Sequence, residues 1–258
     1  MLIKGKWLVK YWGIRPNGVV HVGAHLAEES VTYSELSFGP CLWIEGNPKL
    51  IPHLQHKFTN TSDLVANAAI WEESDKSLTL NIASNSLSSS LFKWGLISEK
   101  YPSIYASETI EVRTKRLDEV IPTNFRFNFI NLDIQGAELS ALVSLGERIN
   151  EVDYIFSEVS KIKLYKDQPL VYELDEFLNN LGFKREITCW VPFAGWGDAL
   201  YIRRQISGTS ALMKAIGTVR TKSFHLKFAS KKIVHYLFRV PRGFLKNVFK
   251  KKEKNEIT

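Results

Sequence analysis

Cysteine is nearly absent from this chain of 258 residues, which carries only Cys41 and Cys189. The two lie far apart in sequence, each beside apolar neighbours. They supply neither a disulfide framework nor a metal-binding spacing, and a reducing compartment is the simpler expectation. Long apolar runs are missing as well. Nothing approaches the roughly 18 consecutive apolar residues of a membrane-crossing helix. The opening "MLIKGKWLVKYWGIRPNGVV" contains no run long enough for a signal peptide. A cytoplasmic protein is expected. Glycine-rich phosphate loops are also lacking: "HVGAHLAEE" (21–29) has Gly23 alone where a dinucleotide fingerprint would have three glycines. That argues against NAD and FAD.

Acidic residues are scarce in one place only. From Arg203 to the end there are 15 Lys and Arg against 2 acids, whereas the first 202 residues hold 19 against 25. A mildly acidic body is thus followed by a strongly basic tail, and the boundary is expected near residue 204, with a body of 1–204 and a tail of 205–258. The apolar content of 45% and charged content of 24% are ordinary for a soluble globular domain.

Along the body, strand-like runs alternate with helical ones. "GVVHVGA" (18–24), "CLWIEG" (41–46), "LVANAAIW" (64–71), "RFNFINLD" (126–133) and "VDYIFSEVS" (152–160) read as strands. Residues 28–38, 48–58, 136–149 and 170–183 read as helices, the second kinked by Pro52 and the last stopped by Gly182. Two less regular strands are expected at 77–84 and 108–117, with the serine-dense "NSLSSSL" (85–91) between them as a loop folded over a site. "KREITCWV" and "DALYIRR" close the body as an antiparallel pair. The alternation predicts an α/β fold with a doubly wound, mostly parallel sheet and a terminal antiparallel strand.

Three strands end in small residues or acids: Gly23 after the first, Glu45 after the second, Asp133 after "FINLD". Ligands of open α/β sheets bind outside the carboxyl ends of the strands. Gly23 either turns a corner or lets a ligand approach the backbone. Glu45, one helix and one strand further on, can accept both hydroxyl hydrogens of a ribose. S-adenosylmethionine has a ribose and no pyrophosphate, so a single flexible turn suffices for it.

"VVHVGAHLAEESVTY", "LWIEGNP", "ANAAI", "NSLSSSL", "FINLDIQGAEL" and "IFSEVS", in this order over residues 18 to about 204, resemble the FkbM family of S-adenosylmethionine-dependent methyltransferases. The resemblance implies a class I methyltransferase (Rossmann-like) fold and O-methylation of a hydroxyl, often on a sugar or polyketide. Position by position it implies that Gly23 and Ala24 line the methionine part of the cofactor, that Glu45 grips the ribose, that Asn67 and Ala68 flank the adenine, and that Asp133 sits near the methyl group. His21 and Gln135 fall among the cofactor positions too, and both depart from the family, which often has acids there. Gln135 keeps hydrogen-bonding reach but loses a charge, so no metal is expected.

Methyl transfer to a hydroxyl needs a group to take up its proton. Asp133, Glu158 and His25 are the candidates. Glu158 can instead pair with Lys161 or Lys163, and His25 can instead make a hydrogen bond where its helix begins. Glu138 reads as structural, an acid in the first turn of a helix. Asn85, Ser88, Ser89 and Ser90 either contact a sugar acceptor or merely build a turn. The tail interleaves aromatics with lysines, placing Phe244, Leu245, Val248 and Phe249 on one face, with Lys246, Lys250 and Lys251 largely off it. It fits an anionic membrane surface, with RNA or packing on the body as alternatives. The functional expectation is an O-methyltransferase for a glycan or lipid-linked saccharide, possessing a peripheral membrane contact. The alternatives are an RNA methyltransferase, which the acidic body disfavours, and a non-catalytic relative in a glycan-synthesis complex.

Overall fold

The computed structural model describes residues 1–206 and 208–238, with the backbone alone for residues 226–238. The expected tail face at Phe244, Leu245, Val248 and Phe249 therefore lies outside the described residues.

Seven strands form the main sheet: β1 (Val19–Val22), β2 (Cys41–Glu45), β3 (Leu64–Asn67), β7 (Phe129–Leu132), β8 (Tyr154–Ser160), β9 (Phe183–Trp190) and β10 (Trp196–Arg203). Their order is β3-β2-β1-β7-β8-β10-β9. All neighbours run parallel except β10, which is antiparallel to β8 and β9. A smaller sheet has the order β4-β6-β5, from β4 (Ala69–Ile70), β5 (Ser77–Ala83) and β6 (Ala106–Lys115). The helices are α1 (Gly5–Trp7), α2 (Ser30–Glu35), α3 (Ile51–Phe58), α4 (Ile97–Lys100), α5 (Leu117–Val120), α6 (Glu138–Val143), α7 (Val171–Asn180) and α8 (Ala211–Phe238). None is long and apolar enough to cross a membrane among the described residues.

Strands covered on both faces need apolar side chains on both, which is why β1 and β7 read as continuous runs rather than alternations. Val20, Val22, Ile44, Ile130 and Leu132 point into the layer holding Leu174 and Leu178 of α7. Val19, Trp43 and Phe129 point into the opposite layer with Tyr33 and the amino-terminal Tyr11 and Trp12. His21 and Asn131 share this second parity, and there Asn131 Nδ2 donates to Tyr33 Oη at 2.8 Å. The polar interruption in "FINLD" thus has a buried partner.

The structure departs from the expected elements in three places. "LVANAAIW" is not one strand: the chain leaves the main sheet at Asn67 and joins the small one at Ala69. Pro52 causes no kink, because it falls in the first turn of α3, where a missing N–H removes no helical bond. The helix expected over 136–149 stops at Val143 and resumes as a 3-10 turn, Gly146–Glu151, with Gly146 at φ +52°. Residues 8–12, for which the sequence offered no expectation, form a π-helical turn.

The compact body runs from Met1 to Gly217 rather than ending at 204. A Cβ on Gly217 would lie 2.5 Å from that of Tyr11, and Lys214 pairs with Glu186 at 2.9 Å. The start of α8 is therefore packed on the body.

Candidate active site

In the main sheet β1 lies between β2 and β7, so the chain leaves its carboxyl end in opposite directions and a crevice opens there. A cavity of about 330 Å³ fills this crevice. Gly23 closes one side, and the N–H groups of Gly23 and Ala24 donate to the Ile44 carbonyl at 2.9 and 3.0 Å. Gly23 has φ +86°, and a Cβ there would overlap the carbonyl oxygen of Asp133. The neighbouring strand thus dictates the glycine, whatever ligand binds. Ala24 turns its side chain into the core.

Glu45 stands at the end of β2. Its Oε2 accepts the His25 N–H at 2.8 Å and its Oε1 the Asn47 N–H at 2.7 Å. Each oxygen keeps a second lone pair for a ligand hydroxyl. Burial raises its pKa above the ordinary carboxylate range, working against those two N–H bonds. Ala68, Ala69, Ile70 and Leu80 add an apolar wall. Asn67 does not join it: its side chain is spent donating to the Glu45 carbonyl at 2.8 Å.

On the opposite side, Asp133 opens onto the cavity while Glu158 is buried behind it. Gln135 bridges the two, its Nε2 donating to Asp133 Oδ1 at 2.8 Å and to Glu158 Oε2 at 3.0 Å. Its backbone is left-handed at φ +53°, and its Oε1 accepts from Tyr165 Oη at 2.9 Å. Burial, then the charges of Asp133 and Glu138, hold Glu158 well above the usual carboxylate range. Among the described residues Glu158 makes no ion pair; Lys161 lies over the Trp190 ring instead, at 4.1 Å. Asp198 of β10 faces Glu158 across the antiparallel pair and accepts the Leu2 N–H at 2.5 Å. Burial pushes Asp198 up to about 7. Glu138 turns back on its own loop, accepting the N–H groups of Ile134 and Gly136 at 3.0–3.1 Å, and burial drives it to about 7.

His25, at φ +48°, has both ring nitrogens engaged, with Nδ1 2.6 Å from Glu28 Oε1 and Nε2 2.7 Å from Ser86 Oγ. It fastens the serine loop to the turn after β1. His21 is buried against Trp43, with ring centroids 4.9 Å apart, and burial lowers its pKa to about 4. It borders the cavity as a neutral ring. Ser89 and Ser90 line the cavity, and Ser90 Oγ donates to the Gln135 carbonyl at 2.7 Å. Asn85 and Ser88 do not line it; they bond to each other in a turn at 3.0 and 3.1 Å. Sequence reasoning passed over Glu28, Glu29, Asn47, Tyr165 and Asp198. Only the first two carried a local signal, as acids five and six residues beyond Gly23.

The electrostatic character is one-sided. Glu28, Glu29, Glu45 and Asp133 line the cavity, and no lysine or arginine does among the described residues. The amino group of Met1 is at its edge, 2.8 Å from Glu29 Oε1. Three or more ligands placed for a metal ion are not found among the described residues.

The methyltransferase FkbM domain model matches residues 21–185. The chain belongs to this family. S-adenosylmethionine is the family's methyl donor, and the cavity fits it: an acid with free lone pairs at the end of β2, an apolar wall beside it, and carboxylates rather than lysines facing a cationic ligand. No curated protein matches the chain. Similar solved structures include a magnesium protoporphyrin IX methyltransferase from Synechocystis PCC 6803, 10% identical over 72% of this chain and 69% of that one, with TM-score 0.42. The ribosomal protein L11 methylase of Lactobacillus delbrueckii subsp. bulgaricus is 9% identical, covering 74% and 72%, with TM-score 0.44. TrmK of M. capricolum, in complex with S-adenosylhomocysteine, is 8% identical, covering 93% and 88%, with TM-score 0.42.

Proposed function

We propose that this FkbM-family methyltransferase transfers a methyl group to a hydroxyl of an uncharged saccharide. The observation that carries the reading is the Asp133–Gln135–Glu158 bridge on a cavity wall with no lysine or arginine. A phosphate-bearing acceptor such as RNA would be repelled by Glu28, Glu29, Glu45 and Asp133, whereas sugar hydroxyls donate hydrogen bonds to carboxylates.

S-adenosylmethionine supplies a methyl group on a sulfonium centre and departs as a neutral thioether. Glu45 holds the ribose hydroxyls with its remaining lone pairs. Asp133, the exposed acid, takes the proton of the acceptor hydroxyl as that oxygen forms its bond to carbon. Gln135 fixes the Asp133 carboxylate in place and leaves its second oxygen for the acceptor. Glu158, whose pKa burial raises well above the usual carboxylate range, shares the Gln135 amide with Asp133.

Radiolabelled methyl transfer into a cell extract, fractionated into glycan, lipid and RNA, tests the reading. Base-stable label recovered as an O-methyl sugar is the expected result. Label in RNA, or base-labile label indicating a carboxyl ester, would overturn it.

A further inference from the structure

Three loop segments beyond the carboxyl edge of the sheet are knitted into one surface. Gly95 and Ile97 donate to the Leu164 carbonyl at 3.1 and 3.0 Å, Lys166 donates to the Lys93 carbonyl at 2.8 Å, and Lys161 donates to the Gly195 carbonyl at 2.7 Å. Ile97, Leu164 and Tyr165 form a small apolar core beneath it. Tyr165 ties this unit to Gln135 and hence to the acids of the cavity. Segments 93–101, 161–168 and 190–196 carry five lysines, at 93, 100, 161, 163 and 166, against two acids, Glu99 and Asp167. All five lysines are exposed.

At the tip of the β9–β10 hairpin stands Phe193, 91% exposed. Its backbone is left-handed, at φ +62°, a conformation unfavourable for a bulky aromatic residue. Neither burial nor backbone preference accounts for a phenylalanine there. Leu96, 39% exposed, lies in the same unit. Exposed strain of this kind argues for a role met outside the chain.

The geometry points to a docking surface for an anionic lipid bilayer, with Phe193 inserting among the acyl chains and the lysines lying against the headgroups. Apolar burial and lysine attraction act together at such a surface, and the long lysine side chains extend along it while the ring goes deeper. A polyanion alone would satisfy the lysines but leave the Val191–Pro192–Phe193 tip unburied. Docking in this way sets the cavity acids beside the bilayer, where a membrane-borne acceptor would be found. None of its residues belongs to the basic segment after residue 203, and its binding does not depend on the chemistry proposed above.

Sedimentation of the full chain with vesicles of phosphatidylcholine alone, or mixed with phosphatidylserine, tests this. The natural chain is expected to bind only the mixed vesicles. The combined Lys161→Glu, Lys163→Glu and Lys166→Glu variant should weaken partitioning about fivefold or more per lysine. Phe193→Ser should lower it roughly tenfold while leaving a salt-sensitive remainder. Both cysteines are buried, so an environment-sensitive dye can be attached selectively through Phe193→Cys. The dye should shift to the blue on the mixed vesicles. Absence of binding by the natural chain, variants that bind as it does, or a dye that responds to single-stranded RNA and not to vesicles would each overturn the assignment.

Discussion

Replacing Gly23 with alanine forces together two backbones that the fold requires to be close. The new Cβ would lie 2.8 Å from the Asp133 carbonyl carbon and nearer still to its oxygen, and neither atom belongs to a flexible side chain. Gly23 also has φ +86°. The conformational part costs about 1–2 kcal/mol, and forced repacking against rigid neighbours adds about 1–3 kcal/mol. Gly182 is the internal control: its φ is +83°, yet nothing lies within 4 Å of its would-be Cβ. Gly182→Ala therefore incurs the first cost alone. For a domain of this size each kcal/mol lowers Tm by about 2–4 °C. Gly23→Ala should melt roughly 4–20 °C below the natural chain, and Gly182→Ala only about 2–8 °C below it. Because Gly23 and Asp133 must part, cofactor affinity should also fall for Gly23→Ala at a temperature where both variants are folded. Equal melting shifts and equal affinities would refute the claim that β7 dictates this glycine.

Glu45→Ala should weaken S-adenosylmethionine binding by about 1–3 kcal/mol through lost hydrogen bonds, read by calorimetry, with NAD giving no heat in either protein. Asp133→Asn should keep the circular dichroism and the melting temperature but slow cofactor turnover; normal turnover would move the proton-accepting role to Glu158. Asp198 gives a pH prediction with a definite sign. Its carboxyl ionises near 3.8 unfolded and near 7 folded, so native stability falls as pH rises between those values. Asp198→Asn removes that slope: stability should match the natural chain near pH 4 and exceed it by roughly 2–4 kcal/mol at pH 8. Parallel stability profiles would exclude the effect.

The central strands were legible because burial on both faces leaves a continuous apolar run, and their carboxyl ends marked themselves with Gly23, Glu45 and Asp133. The limits of legibility are equally physical. "LVANAAIW" is apolar but for Asn67, and nothing in that pattern records that the chain changes sheets at Ala68. The family resemblance set Asn67 beside the adenine, yet strand pairing sets it opposite Glu45, where its amide meets a carbonyl. Asp198 reaches the acids of the cavity only through the register of the antiparallel β8–β10 pair, which sets it opposite Glu158. Tyr165 comes to Gln135 from 30 residues away. Long-range pairing of this kind leaves no periodic trace. His21 shows the converse: the period of two along β1 already turned it away from Val20 and Val22, toward the aromatic layer.

The single run through Asn67, Ala68 and Ala69 has a consequence for how the domain comes apart. The same few residues end β3 at the rim of the main sheet and begin β4 in the small one, so neither sheet can fray there without pulling on the other. Unfolding is then cooperative across both. Backbone amides of β6, which pairs with β4 at Ala69 and Ile70, should exchange with solvent deuterium at the same free energy as those of β2, which holds β3. Proteases acting on the native protein would meet one melting unit and not a detachable flap.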